Sequence, residues 1–142
     1  MSLKLDHVGH VVKNLDEARM LYEDKLGLTP KLIMNHPQFG SQMVFYPFAN
    51  IEIELIQPSN MPADYAGQCL EKRGEGVFHL SFVPDDYEAE VEAWRQKGFT
   101  VEEITVEETR GPVRLAFLKP EETCGLWIEF VDTTNLSGPP SK

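Results

Sequence analysis

The stretch GVFHLSFV, residues 76–83, determines how the rest of the chain is interpreted. It predicts a β-strand, because it is short, apolar and bounded by Gly76 and Pro84. Side chains alternate between the two faces of a strand. One face is therefore fully apolar, with Phe78, Leu80 and Phe82. The opposite face carries an imidazole and a hydroxyl among apolar neighbours, and it consists of Val77, His79, Ser81 and Val83.

An earlier part of the chain repeats this pattern. DHVGHVVKNLDEARMLYEDKLGLTP (6–30) and FHLSFVPDDYEAEVEAWRQKGFTV (78–101) both open with a strand that has histidine at the second position, followed by a turn and a helical segment. Each half ends in a strand-like run, IEIELIQP (51–58) or LWIEFVD (126–132). These runs carry Glu54, 47 residues after His7, and Glu129, 50 residues after His79. The spacing predicts two copies of one β-α-β-β-β unit.

Local signals place the helices within this plan. A first helix is predicted over about 15–26, capped by Asn14, and a second over 86–97, with Asp85 at the capping spacing. A short helix is predicted over about 65–72. We expect one domain over 1–142, made of module 1 (about 4–58), a connector (59–75), module 2 (about 76–132) and a flexible tail (133–142).

Histidine and glutamate occupy matching positions in the two halves. His7 and His79 each precede a small residue and a valine on one strand face, whereas His10 lies on the apolar face and is expected to be a core or edge histidine. If the halves assemble around a pseudo-twofold axis, His7, Glu54, His79 and Glu129 converge. A buried carboxylate pair needs a compensating cation. Two imidazoles and two carboxylates suit a divalent Zn, Ni, Co, Mn or Fe ion.

Composition excludes several classes of function. The net charge of −10 and the pI near 4.8 argue against a nucleic-acid or anionic-membrane partner, since both require clustered Lys and Arg. No apolar run reaches the length of a membrane span, and the first residues lack a signal-peptide core. Two cysteines are too few for a disulfide framework, so we expect a reducing, cytoplasmic setting.

The chain resembles the vicinal oxygen chelate superfamily, which includes glyoxalase I, methylmalonyl-CoA epimerase, extradiol dioxygenases and antibiotic-resistance proteins. The resemblance lies in LDHVGHVVKNLDEA, LYEDKLGL, IEIELIQP, LEKRGEGVFHLSF and GLWIEF. It is nearest to the methylmalonyl-CoA epimerase branch in LEKRGEGVFHLSF and AFLKP. It implies an α+β fold in which two βαβββ modules form a cupped half-barrel mixed sheet around one metal, held by His7, Glu54, His79 and Glu129. It also implies a homodimer.

The resemblance further implies metal-dependent proton transfer at the carbon α to a carbonyl. Glu129 is the first candidate base and Glu54 the second, which would return the proton on the other face. Epimerases of this branch often have glutamine at the position of Glu54, and bacterial glyoxalase I has glutamate there. Some epimerases use a further glutamate on the second strand after the helix. QMVFYP (42–47) offers Gln42 or Met43 there and no carboxylate.

The substrate is expected to be a small carbonyl compound, either an acyl-CoA thioester or a glutathione adduct. Cations and aromatic residues that could bind it are Lys72, Arg73, Arg114, Lys119, Phe39, Phe45, Tyr46 and Trp127. The leading interpretation is an epimerase, and the first alternative is a glyoxalase I-like lactoylglutathione lyase. An extradiol dioxygenase or a metal-free binding or resistance protein is a second alternative. Dioxygenases of this kind use two histidines and one glutamate, and binding proteins usually lose the ligands.

Overall fold

The computed structural model describes residues 2–60, 62, 64–108 and 111–134. Most of the predicted tail, residues 135–142, lies outside the described residues. Contacts divide the chain into two units, one comprising residues 7–78 and the other comprising the first six residues with those from 79 onward. The elements are β1 (Leu3–Val11), α1 (Leu15–Arg19, continued by a π-helix over Met20–Lys25), β2 (Leu32–Asn35), β3 (Gln42–Pro47), β4 (Glu52–Gln57), α2 (Tyr65–Arg73), β5 (Gly76–Pro84), α3 (Tyr87–Gln96), β6 (Glu102–Glu108), β7 (Gly111–Leu118), a 3-10 turn (Pro120–Glu122) and β8 (Trp127–Asp132).

The unit of residues 7–78 is a sheet with a helix on one face. Its strands lie in the order β2-β3-β4-β1; β1 and β4 are parallel, and the other neighbours are antiparallel. Asn14 caps α1 by accepting a hydrogen bond from the Glu17 amide at 3.1 Å, as its spacing predicts. The helix covers one sheet face with a core of Val12, Leu15, Tyr22, Val44, Tyr46 and Leu55. The opposite face carries His7 of β1 and the glutamates of β4, Glu52 and Glu54.

The unit that begins at residue 79 repeats this arrangement. Its strands lie in the order β5-β8-β7-β6, with β5 and β8 parallel and the rest antiparallel. Helix α3 covers one face with a core of Tyr87, Val91, Ala116, Leu118 and Phe130. The predicted β-α-β-β-β repeat is therefore present in both halves of the chain.

Two local predictions need correction. The cap of α3 is Asp86, which accepts from the Ala89 amide at 3.1 Å, and not Asp85. Asp85 is instead engaged by Ser2, whose amide and hydroxyl donate to its Oδ2 at 3.2 and 2.8 Å. The first helix is α-helical only to Arg19, and its last six residues form a π-helix. The connector helix is confirmed over Tyr65–Arg73.

None of the helices among the described residues has the length and hydropathy required to cross a bilayer.

Candidate metal centre

Strand register places a histidine and a glutamate on the same face in each unit. Across the β1–β4 pair, His7 lies opposite Glu52 and Gly9 opposite Glu54. Across the β5–β8 pair, His79 lies opposite Trp127 and Ser81 opposite Glu129. Partners in register point to the same side of a sheet, and so do residues two apart on a strand. Each unit therefore has a histidine and a glutamate on the same face of neighbouring strands. The glutamate lies opposite the residue two positions after the histidine.

The pair in the first unit is close and poorly solvated. His7 Nε2 lies 3.9 Å from Glu54 Oε1, and the two side chains are only 11% and 8% exposed. Phe45 lies opposite Glu54 on β3, and its ring meets the His7 imidazole edge-on at 6.1 Å between centroids. Burial of a carboxylate is costly unless a cation or several donors compensate its charge. A bound cation is one way to compensate the charge of Glu54 in this environment.

The corresponding carboxylate in the second unit has a hydroxyl partner. The Ser81 hydroxyl donates to Glu129 Oε1 at 2.7 Å, and both residues are buried. Phe117 lies opposite Glu129, as Phe45 lies opposite Glu54. Gly9 occupies the position of Ser81 in the first unit and has no side-chain donor. The two glutamates are thus equivalent in register but differ in how their orientation is fixed.

The four predicted ligands are divided equally between the two units. The unit of residues 7–78 supplies His7 and Glu54, and the unit that begins at residue 79 supplies His79 and Glu129. Imidazole nitrogens and carboxylate oxygens are ligands that borderline divalent cations accept. The donor set therefore fits a metal of the predicted kind. The cysteines are free thiols, Cys69 buried and Cys124 exposed, and neither is among the predicted ligands.

The sequence analysis did not predict an ion pair that lies on the same strand face as His7 and Glu54. Glu52, opposite His7 and 5% exposed, accepts a hydrogen bond from the Lys31 ammonium. Strand alternation places Glu52 on the same face as Glu54, so the position of Glu52 could have been predicted from the sequence. Its partner lies 21 residues earlier, in a segment with no local pattern that predicts the contact.

Several residues considered for substrate binding have structural partners instead. Tyr46 is fully buried, stacks on Tyr22 at 5.0 Å and donates to Glu23 at 2.8 Å, so it belongs to the helix-side core. Burial raises the pKa of Tyr46, and its bond to Glu23 raises it further. His10, predicted to be a core or edge histidine, is half-buried: its Nδ1 lies 2.8 Å from the Tyr22 hydroxyl, and burial lowers its pKa.

The Arg114 guanidinium is also engaged. Its Nε and Nη2 donate to Asp132 Oδ2 at 2.9 and 2.6 Å, and its Nη1 donates to Glu88 at 3.1 Å. Burial would raise the pKa of Asp132, but hydrogen bonds from Thr134 and Arg114 outweigh it and hold that pKa low. An arginine so occupied is poorly placed to bind a substrate phosphate. Lys72 and Arg73 are exposed in the last turn of α2.

The repeated fold and the paired ligands agree with the sequence comparisons. The family model of the glyoxalase/bleomycin resistance protein/dioxygenase superfamily matches residues 6–117. The chain belongs to this superfamily. It is 27% identical to human mitochondrial methylmalonyl-CoA epimerase over 129 residues, 89% of this chain and 72% of that protein. It is equally similar, 27% over 133 residues and 91% of each chain, to the uncharacterised Bacillus subtilis protein YqjC.

A solved structure extends the likeness to the whole fold. A Streptomyces coelicolor methylmalonyl-CoA epimerase variant in complex with 2-nitronate-propionyl-CoA is 26% identical, with a TM-score of 0.77 that covers 97% of this chain and 100% of that one. The match and the observed strands confirm the predicted fold class, an α+β protein of two βαβββ modules, each with a mixed sheet.

Proposed function

We propose that the protein is a divalent-metal-dependent isomerase that transfers a proton at the carbon α to a carbonyl, and that an acyl-CoA thioester is its substrate. The observation that carries the proposal is repeated in both units: His7 has Glu54, and His79 has Glu129, as a diagonal neighbour on the same strand face. The epimerase relatives support the substrate class.

His7, Glu54, His79 and Glu129 are the residues that would hold the metal. A bound divalent cation supplies Lewis-acid polarisation of the substrate carbonyl, which lowers the cost of the negative charge that develops on oxygen. Glu129 accepts the α-proton as the C–H bond breaks, and its carboxylate becomes a carboxylic acid. The Ser81 hydroxyl keeps one oxygen of Glu129 fixed, so the carboxylate meets the substrate in a defined orientation.

Epimerisation also requires a proton on the opposite face of the same carbon. Glu54, equivalent in register to Glu129, is the group we assign to this step, because β3 offers only Gln42 and Met43 and no further carboxylate at the predicted place. Glu54 therefore starts the turnover as a carboxylic acid and ends it ionised, Glu129 does the reverse, and proton exchange with solvent restores both.

A glutathione-dependent lyase is the second candidate. The glutamate at position 54, where the epimerase branch often has glutamine, favours the lyase. The family model that matches the chain also includes glyoxalases. Both reactions begin with removal of a proton beside a carbonyl, so the substrate distinguishes them.

The test is deuterium exchange. Purified protein loaded with Co²⁺ is incubated in D₂O with methylmalonyl-CoA or with the hemithioacetal of methylglyoxal and glutathione, and mass spectrometry follows α-deuterium and product. We expect α-deuterium in methylmalonyl-CoA, and E129Q should abolish it while metal content is unchanged.

Glu92→Gln is the matched control, because Glu92 is an exposed glutamate on helix α3 and is not among the predicted ligands. Exchange by E129Q at the rate of the wild-type protein would refute the role of Glu129. If the protein turns over the hemithioacetal but does not exchange the α-proton of methylmalonyl-CoA, the lyase becomes the favoured function.

A further inference from the structure

The Lys31–Glu52 pair lies on the face that carries the ligands of the first unit. Lys31 directly precedes β2, and its backbone amide donates to the Phe45 carbonyl at 2.8 Å. Its ammonium reaches Glu52, which lies opposite His7 and two residues before Glu54. The Lys31 side chain is 22% exposed, whereas that of Glu52 is 7% exposed. The pair thus places a partly accessible ammonium beside the proposed metal ligands.

The internal repeat shows that the fold does not require this charge. In each unit, three residues lie side by side in register across three adjacent strands. They are Leu32, Phe45 and Glu54 in the first unit and Glu102, Phe117 and Glu129 in the second. By the same register, the counterparts of Lys31 and Glu52 are Val101 and Trp127, which are uncharged.

Stability alone does not explain an ion pair at this place. Replacing a buried ion pair by apolar residues is often neutral or stabilising, because two desolvated charges lose hydration that their attraction only partly restores. One half of the molecule has apolar residues at these positions and the other half has a lysine and a glutamate. The charges of Lys31 and Glu52 therefore point to recognition of a ligand.

We propose that Lys31, oriented by Glu52, binds a carboxylate on the acyl group of the substrate. An ammonium has three N–H donors, so it can serve a second acceptor while it remains bonded to Glu52. Charge-assisted hydrogen bonds are strong where water is scarce. Glu52 is a positioning residue that holds the ammonium on the ligand face. This inference rests on the proposed function and narrows the substrate class to acyl thioesters that carry a second, anionic group.

The test compares two thioesters that differ only in that carboxylate. Calorimetry measures the affinity of the Co²⁺-loaded protein for methylmalonyl-CoA and for propionyl-CoA. Wild-type protein should prefer methylmalonyl-CoA, and K31M should reduce the preference about tenfold, which is the effect of one charge-assisted hydrogen bond. K31R should retain most of the preference, because it keeps the positive charge. K25M is the control, since Lys25 is exposed at the end of the π-helix.

The outcomes separate this inference from the proposed function. An equal loss of affinity for both thioesters in K31M would show a purely structural role and overturn the inference, as would an unchanged preference. Wild-type protein that exchanges the α-proton while K31M keeps its preference would contradict the inference alone. A third outcome is also informative: the wild-type protein does not exchange the α-proton, but K31M loses the preference for methylmalonyl-CoA that the wild-type protein shows. This outcome would contradict the proposed function and would support the binding role of Lys31.

Discussion

Substitution of Ser81 by alanine tests how the structure prepares Glu129 for proton transfer. Ser81 is fully buried, so alanine fits the space, and the variant removes the hydroxyl that donates to Glu129 Oε1 at 2.7 Å. A hydrogen bond to a charged group contributes about 1.5–3 kcal/mol. If the bond is needed to orient the base, S81A should reduce kcat/KM for α-proton exchange by roughly 10- to 150-fold.

The assay is deuterium incorporation into methylmalonyl-CoA at matched concentrations of folded, metal-loaded protein. Ser41→Ala is the control, because Ser41 is likewise a buried serine whose hydroxyl donates to a buried carboxylate, Asp64 Oδ2, at 2.6 Å. S41A should lower the free energy of unfolding by only about 0.5–1.5 kcal/mol, because the Ser59 amide still donates to Asp64 Oδ2 at 3.0 Å, and should leave exchange near the wild-type rate. An exchange rate for S81A within about twofold of wild type would refute the orienting role.

Two further predictions concern stability. Phe130 is fully buried beneath α3, so F130A should lower the free energy of unfolding by about 3–5 kcal/mol, whereas F48A, at an exposed residue, should change it by less than about 1 kcal/mol; urea unfolding distinguishes them. Burial lowers the pKa of His10, so the unfolded chain binds more protons than the folded one below the ordinary histidine pKa, and stability should fall as the pH falls from 7.5 to 5.5. H10Q should flatten that slope, and an identical slope in wild type and H10Q would contradict this assignment.

The repeat made most of the fold predictable. His7 and His79 open equivalent strands, and the turn, helix and later glutamate follow at nearly equal spacing, so one half supports the interpretation of the other. Strand alternation then placed the four predicted ligands on common faces, and the observed register agrees for both pairs.

What escaped prediction depends on contacts between residues distant in sequence. Asp85 and Asp86 are equally good local caps, and the contact with Ser2, 83 residues away, leaves Asp86 as the cap of α3. Lys31 resembles any solvated lysine until the fold brings Glu52 to it. No local signal distinguishes the engaged Arg114 from a free surface cation, because its partners lie on α3 and β8.

The metal content of the purified protein tests the central claim most directly. After loading with Co²⁺ and extensive dialysis, elemental analysis should find one ion per chain, and H7A and H79A should each lose it, because the proposed function assigns both histidines to one ion. The account would be contradicted if the wild-type protein retained no ion, or if H7A or H79A retained as much of it as the wild-type protein.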